Sequence, residues 1–424
     1  MGLTRSLRQR DLVAVTINAI IGAGIFGLPG RIFALAGPWS LLACVTCGAF
    51  ACLIVLCFAE VGSRFRDTGG PYLYARKAFG DTVGFDIGSL MWLARVSAFA
   101  ANANLLLTYL GTFGIHWEAG TSRTVFLAMV VGVLAIVNLL GIRNAALLNH
   151  LFTFGKLAPL AVFIALGSFA LVPQRLALGP APPLADFSAA VLLLVYAFTG
   201  FEMGTVPTGE MKNPERTLPR ALLTAIGIVA FVYISLQAVC IGVLPALATS
   251  ARPLADASRV FLGEAGMRMI VAGIVVSILG NLHITILSAS RIPFAMAEQG
   301  QLPPVFKHLH ARFGSPDFAI VTTSLVMLAM TLGATFLGAV SISTVARLLV
   351  YMSTCAALPK LRRHGENASF KIRGGVAIAG VALVVSVWLL AHAPAAEWRA
   401  VAVVAAVATV FQFAFKRRVQ GMGR

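Results

Sequence analysis

Apolar runs about as long as a membrane-crossing helix recur along the whole chain, and no other feature restricts its fold so severely. They fall near residues 11–35, 39–63, 84–114, 122–141, 147–172, 187–208, 217–245, 266–298, 318–338, 341–358, 375–392 and 396–415. Most reach the roughly 20 residues a helix needs to cross a hydrocarbon core, and two are long enough to end in a surface helix. Only 12% of the 424 residues are charged, with a mean hydropathy of +0.88, far from the balance of a soluble domain. These observations imply an all-α polytopic membrane protein of about twelve helices, forming a single integral domain over residues 1–424. No cleavable leader is expected, because the first run follows Arg5, Arg8 and Arg10 without a small-residue processing site.

A net charge of +17 would suit a nucleic-acid binder, but the distribution of the charge excludes that class. With the N-terminus inside, 23 of the 33 Lys and Arg fall in cytoplasmic segments, among them Arg64, Arg66, Arg143, Lys212, Lys360, Arg362 and Lys416. Seven fall outside, and Arg95, Lys156 and Arg347 lie within runs. This is the positive-inside signature, placing both termini in the cytoplasm of a plasma membrane, the inner membrane for a bacterium. The partner implied is membrane lipid, not nucleic acid. Cys44, Cys47, Cys52 and Cys57 share the second run, with Cys240 and Cys355 in others, so they read as packing residues; no metal site is implied.

Gly22-Ala-Gly-Ile-Phe-Gly27 has the spacing of a dinucleotide fingerprint, but it sits inside an apolar run and no Asp or Glu occurs between Asp11 and Glu60. The acidic residue that would hold a ribose is therefore missing. Glycines in mid-membrane either let neighbouring helices approach closely or loosen a helix whose bare backbone then lines a cavity. A second weak point, Phe198-Thr-Gly-Phe-Glu202 followed by Pro207, lies in the sixth run. Its offset divides the chain into two five-helix halves, 11–172 and 187–358, each opening with an interrupted helix, with 375–415 left over. An odd number of crossings separates the halves, so they are inverted relative to one another. Paired breaks of this kind point to a secondary transporter's midplane site.

Four pieces in order now carry a resemblance. They are Gly22-Ala-Gly-Ile-Phe26; Gly69-Gly-Pro-Tyr-Leu-Tyr74; Phe198-Thr-Gly-Phe-Glu202 with Glu210-Met-Lys-Asn-Pro-Glu-Arg-Thr-Leu-Pro-Arg220; and Ser290-Arg-Ile-Pro-Phe-Ala-Met-Ala-Glu-Gln-Gly300 leading to Leu302-Pro303. From about Leu12 to about Pro359 the chain resembles the amino acid/polyamine/organocation superfamily of permeases. The resemblance implies a leucine-transporter-type 5+5 inverted repeat with helices 1 and 6 unwound and the last two spans outside the repeat. It also implies secondary active transport of an amino acid or related amine by alternating access, proton-coupled or by exchange. A polyamine or organocation substrate, or a substrate sensor with a transporter fold, stays open as an alternative. An ion channel lacks its ring of charges or filter motif. An intramembrane enzyme lacks HExxH, GxSxG or a Walker loop, so no catalytic residue and no organic cofactor are implied.

Physical chemistry narrows the site. An unwound first helix leaves N–H groups near Gly24, Ile25 and Phe26 facing the positive end of the outer half-helix, which suits a carboxylate. Carbonyls near Asn18 to Ile21, and near Tyr196 to Thr199, suit an ammonium, so one zwitterion fits both ends. Gly22 and Gly200 mark the breaks. The resemblance assigns substrate contacts to Ile20, Ala23 and Gly24, and a closing aromatic to Tyr196; many relatives carry Ser or Thr where this chain has Ala23. Tyr196 and Phe198 are equally compatible with plain packing.

Lys156, within the fifth run, reads as functional because a lysine in hydrocarbon is costly, or else as one that snorkels to the interface. In some proton-coupled relatives a lysine at the matching place fills the volume of a sodium site, implying proton coupling or a fixed charge that makes sodium unnecessary. Arg95 favours a second substrate carboxylate, or pairs with Glu202 as a gate. Glu202 reads as steadying the sixth helix. Arg347, His283, Ser288 and Ser290 are lesser candidates, a membrane histidine being either a proton relay or a satisfied structural residue.

Overall fold

A computed structural model describes residues 9–65, 70–114, 120–140, 145–210, 214–363, 368 and 370–393, and residues 395–410 apart from 397, 400, 404, 407 and 408. Arg5, Arg8, Arg66, Gly69, Arg143, Lys212 and the basic residues from 416 onward lie outside the described residues, as does part of the run at 396–415. Every regular element among the described residues is helical.

The first apolar run is interrupted. α1 (Gln9–Ile20) ends two residues before Gly22, whose backbone is extended (φ −139°, ψ −152°), and α2 (Ala23–Gly27) then resumes the path. α3 (Pro29–Ala36) follows directly, because Leu28 N–H donates to Gly24 O and Ile32 N–H to Leu28 O, so α2 and α3 continue as one rod. Pro29 sits where a helix needs no N–H.

Next come α4 (Ser40–Gly62), the short α5 (Pro71–Phe79), α6 (Asp81–Leu110), α7 (Thr121–Leu140) and α8 (Ala145–Phe169). α9 (Leu184–Phe198) stops at Thr199, the chain crosses Gly200, and Phe201–Glu210 continues as a 3-10 helix. The remainder is α10 (Pro214–Val243), α11 (Pro253–Glu298), α12 (Asp317–Gly333), α13 (Phe336–Arg363) and α14 (Gly375–Ala391). α11 bends at Gly263, where φ is +66°, which divides a short first piece from the long one.

Among the described residues, seven helical stretches are long and apolar enough to cross a membrane, and three shorter apolar helices accompany them. The outward faces carry large apolar residues, as on α7 with Val125, Met129, Val133 and Ile136; for a soluble protein such a patch would be a liability, and in lipid it is solvation. α6 is the hub, its crossing segment almost wholly buried against α13, α11 and α12. α1 packs on α10 and α8, α4 on α10 and α9, and α14 leans on α13 and α4.

Contacts between the ends of different helices tie the bundle together. Glu60 at the end of α4 accepts hydrogen bonds from Arg64 (3.0 Å), from Arg362 near the end of α13 (2.7 and 2.6 Å) and from the Ile372 amide (2.9 Å). Tyr72 and Arg76 of α5 hold Gln301 and Gln299 just past α11. At the other end Arg175 donates to the Gly242 and Val243 carbonyls, and Arg252 to Thr112.

Candidate functional site

The two interrupted helices touch at their breaks. Gly24 abuts α9 so closely that a Cβ there would stand 2.6 Å from Ala197 Cα, and Gly200, with φ +112°, lies flat against the Ala19 carbonyl. Only glycine takes that φ without strain, and only hydrogen fits the gap. Around this crossing is a cavity of about 40 Å³, bordered by Ile20, Gly22, Ala23, Gly24, Arg95, Asn102, Tyr196, Thr199, Gly200, Asn281, Thr285, Ser288 and Arg347. One water needs roughly 10–15 Å³, so the space suits about three, and a whole amino acid requires the walls to give.

Unwinding leaves backbone groups that hydrocarbon cannot satisfy, and each break has its own partners. Asn102 Oδ1 accepts the Ala23 N–H at 3.0 Å, while Asn102 Nδ2 donates to Ala98 O (2.8 Å) and faces the Tyr196 hydroxyl (3.3 Å). Lys156, 2% exposed, donates through Nζ to Asn18 O at 2.9 Å and Ile21 O at 3.0 Å. The Tyr233 hydroxyl lies 3.0 Å from Ala197 O and 3.4 Å from Ile20 O, bridging the two breaks. Thr199 Oγ1 returns to Tyr196 O at 2.7 Å.

Beneath the cavity Glu202 organises a charged floor. Its Oε1 accepts from Arg347 Nη1 (2.7 Å); its Oε2 accepts from the Tyr351 hydroxyl (2.8 Å) and the Gly200 amide (2.9 Å). Arg95 Nη2 stands 3.6 Å from the same Oε1, an ion pair beyond hydrogen-bonding distance, and its Nη1 donates to Ser288 Oγ at 3.1 Å. Below this the rings of Phe58, Phe201 and Tyr351 close together, with centroids 5.0–5.4 Å apart.

Several expected positions shift. The Asn18 and Ile21 carbonyls, expected to face a substrate ammonium, are taken by Lys156, so the protein's own ammonium fills that place, and Lys156 does not snorkel. Phe198 does not border the cavity: the register of α9 turns its ring toward α10, where it meets Tyr233 edge-on at 5.1 Å. Ile25 is buried in packing and also off the wall. His283 faces away, its Nδ1 3.1 Å from Asn138 Nδ2 of α7, and Ser290 bonds back to Leu287 O. Asn102, Tyr233, Asn281 and Thr285 were not anticipated; an Asn within an apolar run was the available signal for two of them.

A polar cavity within a bundle of apolar helices, at the crossing of two unwound segments, is the arrangement of a multi-pass membrane transporter. The chain belongs to the amino acid permease family, whose model matches residues 7–414. It is 31% identical to the serine/threonine exchanger SteT of Bacillus subtilis over 77% of each chain. It is also 24% identical to the methylthioribose transporter of the same species, over 98% of this chain and 94% of that one. An uncharacterized transporter of Mycobacterium bovis is 32% identical over 82% and 78% of the two chains. All are named as transporters, so this is a carrier family, not an enzyme family.

Proposed function

We propose that this chain is a secondary active transporter of an amino acid or related amine in the plasma membrane, both termini cytoplasmic, working by alternating access. The observation that carries the reading is the contact between the breaks: Gly24 against Ala197 and Gly200 against Ala19, with the cavity at their crossing. A solute seated there touches both interrupted helices, so its binding biases how the two halves sit against each other. The outer half-helix starting at Ala23 points its positive end at a substrate carboxylate. Arg95, Asn102, Tyr196, Thr199 and Ser288 line the remainder.

The 5+5 inverted reading, 11–172 against 187–358 with 375–415 outside, has further support. In each half a short helix leads across a positive-φ glycine into a long buried one: α5 across Gly80 (φ +97°) into α6, and Pro253 onward across Gly263 (φ +66°). Lys156 is the coupling residue of this scheme. Its ammonium occupies a carbonyl cage at the first break that would otherwise suit a metal cation, leaving a proton, or a fixed charge with solute exchange, to complete the cycle. Exchange agrees with the name of the B. subtilis relative.

Counterflow in proteoliposomes tests the proposal. Purified protein in vesicles preloaded with unlabelled amino acids should accumulate the matching labelled one. Binding without counterflow across a full amino acid panel would identify a sensor instead.

A further inference from the structure

Two guanidinium groups and one carboxylate share the buried floor of the cavity. Among the described residues Glu202 is the only carboxylate bordering either this cavity or the smaller one beneath it, and its two oxygens already accept hydrogen bonds from Arg347, Tyr351 and the Gly200 amide. Arg347, at 2.7 Å, is its matched partner. Arg95 is left with a hydroxyl at 3.1 Å and a carboxylate oxygen at 3.6 Å that already accepts another guanidinium. It carries five N–H donors in a planar fork, is 6% exposed and borders the cavity. A buried cation in this setting demands an anion with good geometry.

We propose that the missing anion belongs to the solute: Arg95 receives a side-chain carboxylate, and the transported amino acid is acidic, of the aspartate or glutamate kind. This rests on the transport reading above and adds the substrate class to it. The α-carboxylate lies at the start of the outer half-helix near Ala23 and Gly24, and the second carboxylate takes the fork of Arg95, which Ser288 holds in orientation from α11. The ammonium then faces the polar wall of α9 around Tyr196 and Thr199, because Lys156 has taken the carbonyls at the end of α1. Arg347 is held by Glu202 through Nη1 at 2.7 Å. The alternative is a latch, in which Arg95 closes on Glu202 during the cycle whatever the solute.

The test is counterflow of labelled L-glutamate, L-aspartate and L-serine by the wild type and by Arg95→Gln. An acidic amino acid should be exchanged with a KM at least tenfold below that of serine, and Arg95→Gln should raise the acidic KM at least tenfold more than it raises the KM for serine. Serine exchange unaffected by excess glutamate or aspartate would overturn the inference and leave the transport reading standing. An equal loss for all three solutes in the variant would assign Arg95 to the latch and overturn it too. The wild-type competition panel decides the matter by itself if the variant does not fold. Absence of counterflow for every amino acid tried would remove both readings.

Discussion

Replacing Lys156 with glutamine removes a charge from the centre of the protein and one of the two hydrogen bonds that close the first break. In the native chain Nζ reaches Asn18 O at 2.9 Å and Ile21 O at 3.0 Å with no water-facing surface to speak of. Hydrogen bonds to a charged group contribute about 1.5–3 kcal/mol each. The glutamine amide is shorter and neutral, so it replaces one of them at about half strength, and the break loses roughly 2–4 kcal/mol. At 1.4 kcal/mol per tenfold, the equilibrium ratio of intact to opened break falls by about 30- to 700-fold, an upper bound because water entering the gap restores part of it. Substrate affinity, read by scintillation proximity on the purified protein, should drop at least tenfold, since the affinity of a binding-competent state scales with its population. The pH dependence of uptake in proteoliposomes should vanish. Lys156→Arg separates two cases: it keeps the charge, so uptake without pH dependence identifies a lysine that releases its proton, and uptake with native pH dependence identifies a fixed charge. Native affinity and native pH dependence in Lys156→Gln would refute the assignment of Lys156 to the coupling step.

Gly200→Ala forces a side chain into φ +112° and against the Ala19 carbonyl, a strain of about 1–3 kcal/mol before any collision is counted; transport should be abolished and the melting temperature in detergent lowered. Glu202→Gln leaves Arg347 and Arg95 facing each other without an anion, at a cost of about 3–5 kcal/mol. The Glu202→Gln, Arg347→Met double variant should recover part of that in a double-mutant cycle, and additive effects would show that the pair is not coupled. Asn102→Ala strips the Ala23 amide of its acceptor at 3.0 Å, for a loss of about 1–3 kcal/mol, visible as weaker substrate binding with unchanged expression. Glu60→Gln unties α4 from α13 and from the segment leading into α14; faster proteolysis of that face in inside-out vesicles is expected, and unchanged cleavage would count against a clamp.

Hydropathy and glycine placement foretold the helical class and the position of both breaks, because lipid allows an apolar run few conformations and a disrupted one still fewer. The runs at 39–63, 122–141 and 375–392 match α4, α7 and α14 to within about two residues. The run at 266–298 hid a bend, since Gly263 lies just outside it and the short helix from Pro253 reads as loop composition. Residues whose partner is near in sequence or is dictated by type were also legible: Glu202 reaches back two positions to the Gly200 amide. Phe198 and Ile25 were misplaced because the rotation of a helix about its axis is set by its neighbours, not by its own pattern when every face is apolar.

The chain alone therefore decides that it lives in lipid, where its helices run and where two of them fail, since those properties follow from transfer free energy and local backbone freedom. Which groups meet at the failures is a matter of long-range packing. Lys156 lies 138 residues from Asn18, Arg347 145 from Glu202, and Asn102 79 from Ala23. No periodicity reports such pairings; they exist because burying unpaired charge and bare backbone is costly enough that the folded bundle must bring each to its partner.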